Sequence, residues 1–101
     1  MVFHETEGTT IITTLTLAEE NHVFEYAFPC KMITCNVHSS LEAVGFMAAI
    51  TEKLTKLGIG VNPVSGFFHD HLFVPVGREN EAIAALEGLA KQAKDEQDDV
   101  T

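Results

Sequence analysis

The feature that most constrains the fold is an alternating strand that leads directly into a capped amphipathic helix. Apolar and polar side chains alternate through residues 31–38, which is typical of a strand with one face on a core. Ser39 and Glu42 then match a capping box, the pattern that marks the start of a helix. Apolar residues follow at helical spacing until Gly58, a residue type that often ends a helix. We predict a central strand over residues 31–38 and a helix over residues 41–57.

The remainder of the C-terminal half predicts a hairpin and a second helix. Residues 59–65 and 72–76 carry strand-forming residues and are separated by a short break, so we predict that they form a hairpin. Pro63 has no backbone N–H to donate, which predicts an edge position or a bulge. Residues 79–94 place apolar side chains, Ile83 among them, along one stripe, with acids in the first turn and lysines in the last.

The order of these elements predicts the fold class. Residues 9–17 are dense in β-branched residues and predict a further strand, whereas residues 23–28 allow either a short strand or an irregular crossing. A strand, a helical crossover, a hairpin and a final helix give a two-layer α+β domain, a mixed sheet with helices on one face. We expect one domain over residues 1–94 and a disordered acidic tail over residues 95–101.

Size and charge narrow the function classes. A chain of 101 residues builds one core, and a net charge of -9 disfavours nucleic acid and anionic membranes as partners. No apolar run approaches the ~18 residues of a membrane-spanning helix. The first residues have neither the basic region nor the apolar stretch of a signal peptide. We therefore expect a cytoplasmic protein.

Motifs for catalysis and cofactors are missing from the sequence. There is no G-x-S-x-G, P-loop or G-x-G-x-x-G pattern, so we expect no enzymatic activity and no cofactor. A triad of a loop serine with His38 and Asp70 has poor geometry, because adjacent Ser and His residues on a strand point to opposite faces. Cys30 and Cys35 are too few and too widely spaced for a disulfide scaffold or a zinc site, which favours free thiols.

The first candidate site is the turn His38-Ser39-Ser40, where the predicted strand meets the predicted helix. The unpaired N–H groups of a helix start, together with the helix dipole, favour an anion such as a carboxylate. The alternative is that Ser39 only caps its helix.

The second candidate site is the run Phe67-Phe68-His69-Asp70-His71. His69 and His71 share a face of an extended segment, and with His38 or a carboxylate they could form a metal site. The alternative is a polar turn followed by half-exposed histidines. Asp70 either caps that turn or holds a ligand's ammonium group. Gly45, placed inside the first turns of the predicted helix, suggests close approach of either a ligand or another helix.

Two segments carry a resemblance to a known family. The stretches VHSSLEAVGFMAAIT and GIGVNPVSGFFHDHLFVP resemble the ACT domain core, in which a strand, a loop, a glycine and an apolar helix lead through a Gly-Ile turn into a hairpin. They are very similar to a family of small bacterial ACT-like proteins, and more distantly to the ACT repeats of aspartate kinases and of the CASTOR arginine sensors. The resemblance covers about residues 7–93.

This resemblance implies a ferredoxin-like sheet and a regulatory amino acid bound at the strand-to-helix loop, often between two ACT units. Gly45 matches the ACT glycine, the loop serines would receive the effector carboxylate, and Asp70 would face the ammonium or a basic side chain. The residues that the resemblance assigns to ligand binding are His38, Ser39, Ser40, Val44, Gly45, Phe46 and Asp70.

The sequence departs from the family pattern in two places. Val44 stands where the usual ACT residue is proline. Members of the bacterial family carry an additional N-terminal segment, so we expect this chain to correspond to them from near their midpoint. No strand is predicted after Lys94, so the remaining sheet position would be filled by residues 9–17 or by another chain. The additional segment of the relatives and this unfilled position both favour a homodimer.

Three hypotheses follow. The first is a non-catalytic regulatory module that binds an amino acid and acts as a dimer. The second is a dimerisation or scaffolding module without a ligand. The third is a metal-binding domain that uses His69, His71 and His38.

Overall fold

The residues that the structure describes form five strands and three helices. The computed structural model describes the backbone of residues 1–35 and 45–99, and the side chains of residues 1–35 and 45–92. In chain order, the elements are β1 (Val2–His4), β2 (Thr9–Ile11), α1 (Leu15–Glu20), β3 (Cys30–Cys35), α2 (Phe46–Lys56), β4 (Asn62–Ser65), β5 (Asp70–Pro75) and α3 (Glu79–Asp99). None of the helices among the described residues is long and apolar enough to cross a membrane. We call residues 1–29 the N-terminal unit and residues 30–99 the C-terminal unit.

The C-terminal unit is built on a three-stranded antiparallel sheet in the order β3-β5-β4. Leu72 of β5 lies opposite Ile33 of β3 and opposite Pro63 of β4. The prediction of a hairpin is confirmed, but the prediction that residues 31–38 form the central strand is wrong. β5 is central because its side chains Leu72 and Val74 are fully buried, while β3 lies at an edge.

The two helices of this unit cover one face of the sheet, which confirms the α+β fold class. The core contains two residues of β5, two of α2, two of α3 and one between α2 and β4. The buried residues are Ile50, Leu54, Ile59, Leu72, Val74, Ala82 and Ala85. Because opposite residues of an antiparallel pair share a face, the half-buried Ile33 joins this core beside Leu72.

Helix α3 packs on a stripe that only partly overlaps the predicted one, since Leu86 and Leu89 pack against the core as predicted. Ile83 was expected in the core, yet its side chain is 39% exposed, and Ala82 is buried instead. Arg78 donates from Nη2 to the carbonyl oxygen of Leu57 at 3.0 Å, which ties the start of α3 to the end of α2. Small side chains on the buried stripe let α3 lie close to the sheet, since helix spacing depends on the side chains at the contact. The helix also continues to Asp99, beyond its predicted end.

The position of Pro63 is consistent with an outer strand of the sheet. The N–H of Gly66 donates to the carbonyl oxygen of His69 at 2.8 Å and closes the β4–β5 hairpin. Bonded and non-bonded pairs alternate in an antiparallel ladder, so Pro63 falls in a non-bonded pair with Leu72. The backbone nitrogen of Pro63, which carries no hydrogen, therefore points away from β5 on the outer edge of β4, as expected for an edge strand.

The N-terminal unit has a separate hairpin, in which Val2 pairs with Ile11. The predicted strand over residues 9–17 is correct only as far as Ile11, because α1 begins a few residues later. Thr14 occupies the N-cap and accepts a hydrogen bond from the N–H of Leu17 through Oγ1 at 3.2 Å. This cap stabilises the start of α1, although the β-branched residues before it had suggested that the strand continues. Residues 23–28 form no strand.

The large apolar side chains of the N-terminal unit, apart from the half-buried Ile12, are all exposed. They are Met1, Val2, Phe3, Ile11, Leu15, Leu17, Val23, Phe24, Tyr26 and Phe28. Because β2 pairs with β1, it does not fill the remaining position of the C-terminal sheet, and this expectation is wrong. The alternative, that another chain fills the position, stays a prediction.

Candidate functional site

The candidate site lies at the end of the sheet where β3 ends and β5 begins. Asp70, the first residue of β5, lies opposite Cys35 on one side and Ser65 on the other. Because opposite residues share a face and Cys35 packs against the core, the Asp70 side chain lies on the helix-covered face. Phe46, at the start of α2, also packs against this core.

Asp70 is a half-buried carboxylate with little positive charge near it. No Lys or Arg occurs in residues 57–77, and no described residue forms an ion pair with Asp70. A partly buried carboxylate is stabilised when a cation lies within a few ångströms. The site therefore has the chemistry to accept an ammonium group.

The Asp70 carboxylate also affects the neighbouring thiol. Burial, and to a smaller extent the negative charge of Asp70, raise the pKa of Cys35. Both effects disfavour the thiolate, which is the nucleophilic form of cysteine. Cys35 and Cys30 are free thiols, as predicted.

His71 lies on the face of β5 opposite to that of Asp70, and His69 lies just before the strand. His71 is opposite Thr34, and its Nδ1 is 3.1 Å from the Thr34 hydroxyl. The rings of His69 and His71 have centroids 6.4 Å apart. The residues that the structure describes contain no group of three or more potential metal ligands, and His38 lies outside them. This end of the sheet thus offers two imidazoles, and the described residues contain no assembled metal site.

Two phenylalanines at the β4–β5 turn are exposed to solvent next to this site. Phe67 is 94% and Phe68 78% exposed, and their rings meet edge to face with centroids 4.9 Å apart. The turn is tight, because a Cβ at Gly66 would lie 3.1 Å from the carbonyl oxygen of His69. Sequence reasoning included both rings in the candidate run but missed their exposure. The sequence did contain a signal for this exposure, because the two aromatic residues follow a glycine and precede the polar start of a strand.

Gly45 lies in a different position from the one predicted. It precedes α2 at the N-cap with a φ of 91°, whereas the sequence prediction placed it inside the first turns of the helix. A positive φ of this kind favours glycine over any residue with a Cβ. No described atom lies within 4 Å of where a Cβ would stand, so the positive φ is the feature of the described structure that favours glycine here. Close approach of a ligand or another helix stays a prediction.

The structure places three of the predicted site residues. Gly45 and Phe46 lie at the start of α2, and Asp70 lies at the start of β5. His38, Ser39, Ser40 and Val44 lie outside the described residues, as does the predicted capping box. Their role stays a prediction.

A groove that sequence reasoning missed runs between α2 and α3. Its volume is about 490 Å³, and none of the predicted site residues lines it. Its lining residues are Lys53, Leu57, Glu81, Ala84, Ala85, Gly88, Leu89 and Gln92. Because the groove is wide open, it lacks the enclosure that buries most of a small ligand.

Comparison with known proteins bears on both units. A family model described as an ACT domain matches residues 28–88, and a second ACT domain model matches residues 1–31. No curated protein matches the chain.

One solved structure is similar over most of the chain. It is the crystal structure of a protein of unknown function from Vibrio cholerae, described as a possible transport protein. It is 40% identical in sequence, with a TM-score of 0.75, over 85% of this chain. The match spans 65% of that protein's length.

The family assignment rests on more than half of the chain. The model match over residues 28–88 covers the three-stranded sheet, α2, the first half of α3 and the Asp70 end. The antiparallel sheet with helices on one face agrees with the ferredoxin-like ACT fold. The chain belongs to the ACT domain family.

Proposed function

We propose that this ACT-like domain binds a free amino acid, acts as a homodimer in the cytoplasm and has no catalytic activity of its own. The observation that carries the proposal is the half-buried Asp70 carboxylate, which has no ion-pair partner among the described residues. It lies at the end of the sheet where β3 ends, opposite Cys35. A ligand ammonium would supply the missing positive charge.

The ligand's carboxylate would bind on the opposite side of the same site. The family resemblance assigns this role to the turn His38-Ser39-Ser40 and to the residues that lead into α2, Val44 to Phe46. The N–H groups at the start of α2 have no partner within the helix, and the helix dipole favours an anion there. An α-amino acid carries both charges, so it fits a site with a carboxylate at one end and backbone donors at the other.

The chemistry of Cys35 supports a role without catalysis. The thiol next to Asp70 has a raised pKa and stays protonated at neutral pH. It is therefore a poor nucleophile, although it lies at the candidate site.

The test is a thermal-shift screen of free amino acids, followed by calorimetric titration of those that stabilise the protein. A ligand that binds only the folded state raises the melting temperature. We expect Asp70→Asn, which keeps the shape and removes the charge, to weaken binding about 10- to 100-fold, the range for a charged hydrogen bond of ~1.5–3 kcal/mol.

Glu87→Gln is the matched control, because it removes an exposed carboxylate from α3, away from the site. It should leave binding unchanged. The proposal is wrong if no amino acid binds at millimolar concentration, or if Asp70→Asn binds as tightly as the wild-type protein.

A second candidate function is a dimerisation module without a ligand. The observation that favours it is the outer edge of β3, which no described strand pairs with. This function predicts that Asp70→Asn changes neither the association of two chains nor the response of the melting temperature to any amino acid.

A further inference from the structure

Two imidazoles lie close together at the β4–β5 turn, away from the face of the sheet that the helices cover. His69 and His71 are two residues apart, and residues at this spacing share a face of an extended segment. The N–H of Gly66 donates to the carbonyl oxygen of His69 at 2.8 Å, so the hairpin pairing continues to His69. Both histidine side chains are half-buried. The hairpin backbone therefore sets the spacing of the two rings.

This spacing suits a metal ion shared by the two rings. Zinc binds imidazole nitrogen at about 2.0–2.1 Å, so two imidazoles on one tetrahedral ion have centroids on the order of 5 Å apart. The centroids of His69 and His71 are 6.4 Å apart. Rotation of the side chains about their χ angles is enough to close the difference.

Thr34 orients the ring of His71. It lies opposite His71 on β3, and its hydroxyl oxygen is 3.1 Å from Nδ1. When Nδ1 carries the hydrogen and donates to this hydroxyl, Nε2 keeps a free lone pair, which is the form of imidazole that binds metals. Histidines that bind metals almost always have such a partner for the other ring nitrogen, and it fixes the tautomer and the ring orientation.

Gly66 leaves space next to the same nitrogen. A Cβ at this position would lie 3.1 Å from the carbonyl oxygen of His69 and 3.5 Å from Nε2 of His71. The φ of Gly66 is not positive, so a left-handed conformation does not account for the glycine. The missing side chain allows the tight turn and also keeps the approach to Nε2 open.

The charge around the histidine pair favours a cation. Residues 57–77 contain no Lys or Arg, and the whole chain has a net charge of -9. A negative field raises the local concentration of cations. The residues opposite His71 on the neighbouring strands, Thr34 and Val64, carry no charge. A bound cation would therefore meet no repulsion from these neighbours.

We propose that His69 and His71 together chelate one divalent transition metal ion, with Thr34 as the residue that positions His71. Imidazole suits zinc, copper and nickel, whereas magnesium and calcium prefer oxygen ligands. Two protein ligands leave the other coordination positions open to water, so the ion exchanges with solution, unlike one held by four protein ligands.

This metal site goes beyond the proposed amino acid binding. His71 and Asp70 are adjacent in β5, so their side chains lie on opposite faces of the sheet. The two sites are tested with different ligands, and either proposal can fail while the other holds.

The test is a titration of the untagged protein with Zn²⁺, followed by calorimetry and by NMR spectra of the imidazole rings. We expect one Zn²⁺ per chain, with the ring signals of His69 and His71 shifting together. His69→Gln and His71→Gln should each weaken binding at least about 10-fold, the effect of ~1.4 kcal/mol, because the remaining imidazole loses its chelate partner. Mg²⁺ at the same concentration should shift neither ring.

His4→Gln is the matched control. Nδ1 of His4 is also 3.1 Å from a threonine hydroxyl, that of Thr9, but His4 lies on the separate β1–β2 hairpin. This variant should bind Zn²⁺ as tightly as the wild-type protein. The proposal is overturned if Zn²⁺ does not bind at millimolar concentration, if only one of the two rings shifts, or if His4→Gln weakens binding as much as His71→Gln does.

Thr34→Val tests the positioning role, since it keeps the shape of the side chain and both imidazoles but removes the hydroxyl. We expect the Zn²⁺ dissociation constant to rise about 10-fold, at the low end for partners of metal-binding histidines. The tautomer ratio of His71 in the metal-free protein should change as well, which NMR measures directly. An unchanged tautomer ratio together with an unchanged affinity would contradict the role of Thr34.

Discussion

The N-terminal and C-terminal units both contain many large apolar side chains, but they use them differently. In the C-terminal unit, two helices cover one face of a three-stranded sheet and bury residues such as Leu54 and Leu72 completely. In the N-terminal unit, a hairpin of two three-residue strands and a six-residue helix leave residues such as Phe3 and Leu17 exposed. A two-stranded hairpin is marginally stable in water unless another layer packs on it. Apolar composition therefore leads to burial only where a second layer is present.

Hydrogen exchange should show the largest difference between the two units. Amides of β5 pair on both sides and lie over the buried core, so they should exchange only when the whole C-terminal unit unfolds. Amides of β1 and β2 should exchange through local opening, with little protection. The difference in opening free energy should be several kcal/mol, within the ~5–15 kcal/mol of global stability. Equal protection in both hairpins would mean that the N-terminal unit is covered in solution.

A pair of leucine truncations should give the next largest effect. Leu54→Ala removes a fully buried side chain and should lower the free energy of unfolding by about 2–5 kcal/mol. Leu17→Ala, at a half-exposed position of α1, should change it by less than about 0.5 kcal/mol. Urea denaturation followed by circular dichroism measures both. A large effect of Leu17→Ala would show that α1 packs against the C-terminal unit or against another copy.

The pH dependence of stability should give the smallest effect, since Cys35 is only half-buried. Burial and Asp70 raise the pKa of its thiol in the folded state, so the folded state holds that proton more tightly than the unfolded state. The resulting stability is present below the unfolded pKa of about 8.5 and is lost as the pH rises through the folded value.

Denaturation of wild-type and Cys35→Ser protein between pH 7 and about 10 measures this effect. The stability of the wild-type protein should fall more steeply with pH than that of Cys35→Ser. Cys30→Ser, which removes the thiol at the other end of the same strand, serves as the control for the loss of a cysteine. A Cys35→Ser slope equal to that of the wild-type protein would contradict the burial of this thiol beside Asp70.

Local patterns predicted the elements of the C-terminal unit well. The spacing of Ile50 and Leu54 specified α2, and the break at Gly66 specified the hairpin, because both signals lie within a few residues. Sequence order did not predict which strand is central, since strand order depends on contacts between distant residues. The choice between Ile83 and Ala82 as the buried residue of α3 depends on a rotation of the helix that Arg78 and Leu57 help to fix.

The candidate site was predictable in part. An acid just before a strong strand identified Asp70 as a residue of interest, and the structure places it at a sheet end. Its position opposite Cys35 depends on the register between two strands that are far apart in sequence. A local sequence pattern cannot predict that register. The conformation of Gly45 was missed because the apolar periodicity continues through it, although its φ of 91° takes it out of the helix.

Pro63 has a consequence for how far an assembly of this chain could grow. A sheet that can add strands at both edges has no natural stopping point and can extend into a filament. Pro63 leaves the outer edge of β4 without a backbone donor near its middle. Any assembly built by sheet pairing would therefore stop at β4, because that edge is a poor template for a further strand.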